Sequence, residues 1–572
     1  MRSRAAALLA LALAAAAPAQ ERSVVHTIDG RDAVVVRVVP FQGAGAVGGF
    51  GFAIVEAESR DDRGHEVVVA YESHAGWQSN VAVRRELALG PRELGRAVLP
   101  LPTDPDPSHR LTLSIDGTRY EESFGTRHDG LTALLVSARG DADGFGQTVL
   151  NGMPRAPRQG TAVVPIPPEL LPHDWRWFTG FHAVVVDGRT PLGGEAQTAL
   201  VAFATAGGTV VVGDAERLPP GTLRERCRAP APDGLVRLGI GRIVPCAVGG
   251  DSSALRAALA ALPAPALAGW PAPELLLRPQ VVPGLGEAPV VVFLCVILLF
   301  ALVVGPINFF LLRRWRRPLL VLVTVPACGL GTTLLMLGYG LVHDGLGVRG
   351  VVRSWTLLDQ DRHAATSLAE RTLFAGLPPD VLTVEPDGVL IAPRACWRGP
   401  GGGADRWQFD PATHRLDGGV LPSRSRTPLL SARHGLARQR LRARAAGERL
   451  ELLPAGAVAP VGERLLRDFD GRYWLGEAPS LQAGDDDAAR AALRRFRRDA
   501  AVMAVDDGDG GPETASAHHL VARFTAGEEL PPGSYVARVA AAPWLDGHGL
   551  DVAYDAETHF VIGRLAPEDL AR

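Results

Sequence analysis

The chain has 572 residues, 21% of them charged, and a formal net charge of −3. All 59 basic residues are arginine, which excludes chemistry that needs an ε-amine: Schiff-base lysines, P-loop lysines and Ser–Lys dyads. The slight negative charge gives no basis for nucleic-acid binding.

At the N-terminus, Arg2 and Arg4 precede the apolar run Ala5–Ala16, and Ala17-Pro18-Ala19 supplies small residues before Gln20. This is the pattern of a removed secretory signal over 1–19. No cysteine follows the cleavage site, so a lipoprotein anchor is not expected. Residues 24–126 read as short strands. Ala33–Val39, Val67–Tyr71, Ala97–Leu99 and Leu111–Ile115 are β-rich runs separated by Gly43–Gly51 and Thr103–Ser108. Strands of this length and spacing suggest an immunoglobulin-like β-sandwich.

From 127 to 265 the pattern becomes strand–helix alternation. Leu131–Ser137 is a strand, and the segment from Ile166 to Pro172 leads into Trp175-Arg176-Trp177-Phe178. A second strand, Ala183–Val186, ends in Asp187-Gly188. A helix over Glu195–Ala206 is capped by Gly207-Gly208, and Thr209–Val212 is a further strand. Fully apolar strands predict a parallel sheet covered on both faces. Asp187 and Asp214 fall at the carboxyl ends of these strands, where open α/β sheets bind ligands, or they are ordinary turn aspartates. Cys227 and Cys246 are expected to form a disulfide, the alternative being two buried thiols; Cys396 is then unpaired. No CxxC, HExxH or Cys/His zinc spacing occurs, so neither a metal nor a cofactor is expected.

After a linker over 266–289 come two apolar runs, Val290–Leu312 and Pro318–Val342, of 23 and 25 residues. A helix needs roughly 20 residues to cross a ~30 Å hydrocarbon core. The turn between them, 313–317, carries Arg313, Arg314, Arg316 and Arg317, which the positive-inside rule assigns to the cytoplasm. Gly305-Pro306 is expected to kink the first helix, and Asn308 to bond freed carbonyls or the partner helix. Both long flanking regions then lie outside the bacterial inner membrane.

Residues 343–572 read as β-rich. Strands are expected at Ser354–Leu358, Val381–Val384, Val389–Ala392 and Ser534–Ala540. Hairpins are expected at Leu441–Arg444 with Leu450–Leu453 and within Asp468–Gly476. Asp485–Arg498 is an amphipathic helix with a solvated arginine face. Asp506–Gly511 lacks the closing Glu of a calcium loop and reads as a linker. His173, His182 and His518-His519 have no partner at a catalytic spacing and read as surface or core histidines.

The stretch from Leu171 to Asp214 resembles the class I glutamine amidotransferase-like (flavodoxin-like) fold. Its catalytic members carry a cysteine on a nucleophile elbow. Here the matching place is Val212-Gly213-Asp214-Ala215, without Cys or Ser, and no His-x-Glu pair follows in the domain. Without a nucleophile no acyl-enzyme forms. The whole layout, with Gly305-Pro306-Ile307-Asn308 leading to Leu311-Leu312-Arg313-Arg314, resembles bacterial envelope proteins. These place a β-sandwich and a degenerate amidotransferase-like domain before a two-helix membrane hairpin. The resemblance implies an architecture and no reaction. The expectation is a multidomain, non-enzymatic membrane-anchored scaffold or sensor that binds other envelope or membrane proteins. The alternatives are an auxiliary subunit of a transport complex and a hydrolase with an unrecognised C-terminal site.

Overall fold

The computed structural model describes residues 22–41, 50–74, 80–102, 108–125, 130–139, 144–152, 160–228, 234–239, 241–247, 290–316, 318–360, 363–391, 405–409, 414–417, 421–446, 448–455, 458–477, 480–502, 529–545 and 547–571. The signal segment, the linker 266–289, Cys396, Asp506–Gly511 and His518-His519 lie outside them.

Eight strands open the chain: β1 (Arg22–Ile28), β2 (Arg31–Phe41), β3 (Phe50–Ser59), β4 (His65–His74), β5 (Asn80–Leu89), β6 (Leu94–Pro102), β7 (Ser108–Ile115) and β8 (Thr118–Gly125). They form two antiparallel layers, β1-β2-β3-β6 and β5-β4-β7-β8. Alternation dictates the stacking. Val34, Val36 and Val38 on β2 are buried with Val67, Val69 and Tyr71 on β4 and Leu111, Leu113 and Ile115 on β7 in one core. Asp29-Gly30 and Asp116-Gly117, all with positive φ, make the two tight hairpins. The Asp116 carboxylate reaches from its turn to accept from Glu66 N–H (2.9 Å) and to bond His65 Nδ1 (2.6 Å).

The second unit holds β9 (Gly130–Val136), α1 (Phe145–Gly152), β10 (Gly160–Ile166), β11 (Ala183–Asp187), α2 (Gly194–Thr205), β12 (Thr209–Gly213), α3 (Thr222–Cys227), β13 (Val236–Leu238) and β14 (Gly241–Cys246). The sheet order is β10-β9-β11-β12-β14-β13, parallel except for the edge strand β13. Successive residues point to opposite faces and both are covered. Leu134, Val184 and Val210 join a core with Leu200 and Phe203 of α2, while Ala133, Val185 and Val211 pack with Val149 and Leu150 of α1.

Trp175-Arg176-Trp177-Phe178, one turn of 3₁₀ helix, is the joint between these two units. Arg176, fully buried, is neutralised by Asp174, whose carboxylate also caps the turn. Phe178 lies edge-on to Phe52 of the sandwich and to Phe203 of α2. Thr179 Oγ1 accepts from Phe50 N–H at 2.9 Å. Aromatic burial at this joint contributes about 0.5–1.5 kcal/mol per ring pair beyond area alone.

The hairpin follows: α4 (Val290–Leu302), a π-helical turn over Val303–Ile307, α5 (Asn308–Arg314), and α6 (Val321–Asp344) after a 3₁₀ turn at Pro318–Leu320. The first helix therefore runs two residues past Leu312, and the second starts three residues later than expected. The π-turn falls at Gly305-Pro306. Pro306 lacks the N–H a regular helix would use there, and the wider turn accommodates it. Val290–Arg314 and Val321–Tyr339 are long and apolar enough to cross a bilayer, with mean hydropathies of 3.2 and 1.8, and neither window is buried inside the protein. A soluble core helix of that composition would be covered.

The remaining strands are β15 (Val348–Asp359), β16 (Ala364–Ala375), β17 (Val381–Val384), β18 (Gly388–Ile391), β19 (Asp405–Phe409), β20 (His414–Asp417), β21 (Arg426–Leu436), β22 (Arg440–Ala446), β23 (Arg449–Ala455), β24 (Pro460–Arg467), β25 (Tyr473–Gly476), β26 (Ser480–Gly484), β27 (Ser534–Val539), β28 (Val552–Arg564) and β29 (Leu570–Ala571), with helix α7 (Asp486–Val502). Twelve of them form one sheet, β18-β21-β16-β15-β28-β27-β24-β25-β26-β23-β22-β29. The sheet curls on itself. Gln360, just after β15, donates to Leu441 O at 2.9 Å and accepts from Leu441 N–H at 3.0 Å, although β22 lies near the far end of the strand order.

The other three strands leave that sheet. β17, β20 and β19 continue the second sandwich layer, with β19 pairing parallel to β5 (Trp407 opposite Val83). Chain from both sides of the hairpin thus shares one sheet.

Candidate functional site

Two groups of interior polar side chains bear on function. The first lies at the carboxyl edge of the parallel sheet. Asp187 stands opposite Gly213 in register, and Gly188 N–H donates to Gly213 O at 2.7 Å. Asp214 follows directly, its N–H bonded to Cys246 O at 2.7 Å. The two sequence-selected aspartates are therefore neighbours on one edge. Gly188 has no alternative there, because a Cβ would stand 2.2 Å from Gly213 O.

The two carboxylates are not equivalent. Asp187 is buried and accepts from Arg189 N–H (3.0 Å), Nε (2.9 Å) and Nη2 (2.9 Å). Burial alone would raise its pKa, but these bonds and the Arg189 charge hold it below the usual carboxylate range. It is a turn clamp closed by a residue two positions away. Asp214 is more open and lies 3.6 Å from Arg217. Its backbone is left-handed, with φ 48° and ψ 50°, at a strand-to-helix turn. Aspartate tolerates that region better than most residues. This is the position that the sequence resemblance matches to an elbow, and it carries an acid.

Cys227 and Cys246 are both free thiols, so the expected disulfide is corrected. The sheet itself separates them. Cys227 ends α3 and packs in the core on one face, while Cys246 on β14 packs against the cluster on the opposite face, its Sγ 3.5 Å from Val212 O. Burial pushes the Cys227 thiol up to about 12. Burial, with the Asp214 charge and the Cys227 thiol, does the same to Cys246, up to about 12. Neither provides a thiolate near neutral pH.

The second place is the inner face of the curled sheet, which sequence reasoning missed. Parallel register sets Ser354 of β15 beside His559 of β28. Ser354 Oγ and His559 Nδ1 are hydrogen-bonded at 2.9 Å, and His559 Nε2 reaches Glu557 Oε2 at 3.0 Å. With the ring proton given to the half-exposed Glu557, Nδ1 accepts from the serine hydroxyl. Burial lowers the His559 pKa, and Glu557 only partly offsets it. Around this chain Thr356 bonds Ser367 (2.9 Å) and Trp544 Nε1 (2.7 Å), and Arg371 bonds Ser431 (3.0 Å) and His548. Serine, imidazole and carboxylate in series is the order of a nucleophilic relay. Ser354, however, is fully covered.

The isolated histidines resolve differently. His182 is buried and accepts from Thr132 N–H at 3.1 Å, and burial drops its pKa to about 4. His173 is exposed, 2.8 Å from Glu195. His65 bonds Asp116 and Asp61 (2.7 Å); burial opposes its charge, yet the two carboxylates raise its pKa. Among the described residues no three His, Cys, Asp or Glu side chains gather as a metal site.

In the hairpin, buried Asn308 donates from Nδ2 to Thr324 Oγ1 of α6 at 2.9 Å, so its partner is the neighbouring helix. Gly305 and Pro306 form the π-turn just before it. Arg313, Arg314 and Arg316 are exposed at the turn.

Fold and sites define the class: a β-rich multidomain chain with two helices of membrane-spanning character. No family model matches the chain, and no curated protein matches it. Among solved structures, part of the chain is similar to the crystal structure of the Amycolatopsis orientalis exo-chitosanase at 12% identity and a TM-score of 0.13. That alignment covers 32% of this chain and 23% of the chitosanase chain, a likeness too loose to define a shared fold.

Proposed function

We propose that this chain is a non-enzymatic scaffold or sensor of the bacterial envelope. In this reading the hairpin anchors it in the cytoplasmic membrane with the arginine turn inside, and the sheet-built units outside bind other envelope components. The strand order β2-β3-β6 over β5-β4-β7-β8 supports an immunoglobulin-like sandwich, a fold often used for recognition. The order β10-β9-β11-β12-β14 supports a flavodoxin-like, amidotransferase-derived unit. The observation that carries the reading is Asp214, an acid at the left-handed elbow where that chemistry requires a nucleophile. The pairing of β19 with β5 supports placing the segments that flank the hairpin on one side of the membrane.

Photo-crosslinkers at the exposed positions Asp62 and Arg449, in native membranes, are expected to join the chain to another envelope protein. Glutamine-directed probes are expected to leave it unlabelled. Stoichiometric labelling of Cys227 or Cys246 with release of ammonia from glutamine would overturn the reading. Crosslinks through the hairpin to a transporter subunit would instead favour the auxiliary-subunit role.

The Ser354–His559–Glu557 chain favours one second reading, a hydrolase of esters or amides. It requires the fully covered Ser354 to become exposed. Labelling by a fluorophosphonate that is lost in Ser354→Ala would establish it; absence of labelling in the full chain would dismiss it.

A further inference from the structure

We propose that the hairpin turn is a headgroup site for anionic phospholipid, an inference that rests on the membrane reading of the two helices. The backbone fixes the turn. Trp315 N–H donates to Leu311 O at 3.0 Å, Arg316 N–H to Arg313 O at 3.2 Å, and Arg316 adopts a left-handed φ of 55°. Arg313, Arg314 and Arg316 are therefore held together at the end of the helix pair and not spread along a loose loop, and Arg317 follows next in sequence.

Among the described residues no carboxylate pairs with Arg313, Arg314 or Arg316. The sequence holds no Asp or Glu between Glu287 and Asp344. The turn closes two helices that each span a bilayer's thickness, so the guanidinium groups sit at headgroup depth. The anions at that depth are lipid phosphates. A guanidinium fork binds phosphate through two parallel N–H donors. A zwitterionic headgroup brings its own cation, which these arginines repel, so charge complementarity selects a net-anionic lipid. Trp315, 55% exposed beside them, has the amphipathic ring that settles at the same interface.

The test uses the full chain reconstituted in phosphatidylcholine vesicles containing a trace of spin-labelled lipid, read as the motionally restricted fraction by electron paramagnetic resonance. Each basic residue near an anionic surface strengthens association about fivefold. Labelled phosphatidylglycerol should thus associate with the wild-type chain at least about fivefold more strongly than labelled phosphatidylcholine, and salt should reduce the preference. R313Q/R314Q/R316Q/R317Q should bring the ratio to about one, while the corresponding quadruple lysine variant should keep most of it, because charge survives without the fork. Equal restriction of both lipids by the wild-type chain, or a preference unchanged in the glutamine variant, would overturn the proposal. Extraction of the wild-type chain by alkaline carbonate would overturn the membrane reading itself. A chain that resists extraction yet shows no lipid preference would overturn only the headgroup site.

Discussion

The parallel sheet and the curled C-terminal sheet handle interior polar groups in opposite ways. At the edge of the parallel sheet each aspartate is answered locally, Asp187 by Arg189 and Asp214 by Arg217. Inside the curled sheet several partners are distant in sequence. Ser354 and His559 are 205 residues apart, and Gln360 and Asp569 are 209 apart. The first arrangement can form as soon as its turn forms. The second exists only once the whole sheet has closed, so it reports on global folding and concentrates the cost of disruption.

The largest effect should come from the cross-strand pair Arg353–Glu370 on β15 and β16, both nearly fully buried and 3.6 Å apart. Glu370→Ala removes the carboxylate beside a buried guanidinium and should cost about 3–5 kcal/mol, whereas Arg353→Met with Glu370→Leu should cost far less. Denaturant midpoints of the full chain in nanodiscs measure both. Equal loss in the single and double variants would break the comparison.

Acid should follow. The His182 imidazole is held neutral down to about 4 against an ordinary value near 6.5. The unfolded chain binds that proton first, so stability present above pH 6.5 is lost as pH falls toward 4, by about 3 kcal/mol at the bottom of the window. His182→Gln should flatten that part of the pH profile. An unchanged acid limb would contradict the assignment.

Removing the Ser354 hydroxyl as Ser354→Ala should cost about 1–2 kcal/mol, with His559 left a polar partner short. The local side should give the smallest change and the opposite sign. Asp214→Gly relieves a left-handed backbone and should be neutral or stabilising by up to about 1 kcal/mol. A loss above that would mean the Asp214 carboxylate matters more than its turn.

Legibility followed the same division. Alternation exposed β4 and β7 through Val67, Val69, Tyr71 and Leu111, Leu113, Ile115, and the paired apolar runs exposed the hairpin. Pro306 and Asn308 marked an irregular place in the first membrane helix because both are anomalous there, but the π-turn and the choice of Thr324 as partner came only with the helix packing. The sheet that β19 shares with β5 left no local signal, since nothing in Asp405–Phe409 names a partner more than 300 residues earlier. The cysteines misled for a related reason. Their spacing suited a loop, but strand alternation sent Cys246 to the face opposite Cys227. Ser354 looked like an ordinary strand residue until register set it beside His559, two residues after Glu557 on β28.

The claim on which the account rests is that chain before and after the hairpin lies together on one side of the membrane, with the arginine turn on the other. Single cysteines at Asp62, Arg449 and Arg314, in a background with the five native cysteines replaced, test it with a membrane-impermeant maleimide. The account predicts that Asp62→Cys and Arg449→Cys label in intact cells whose outer barrier is opened, and that Arg314→Cys labels only after the inner membrane is permeabilised. Labelling of Arg314→Cys from outside, or opposite behaviour at positions 62 and 449, would contradict it.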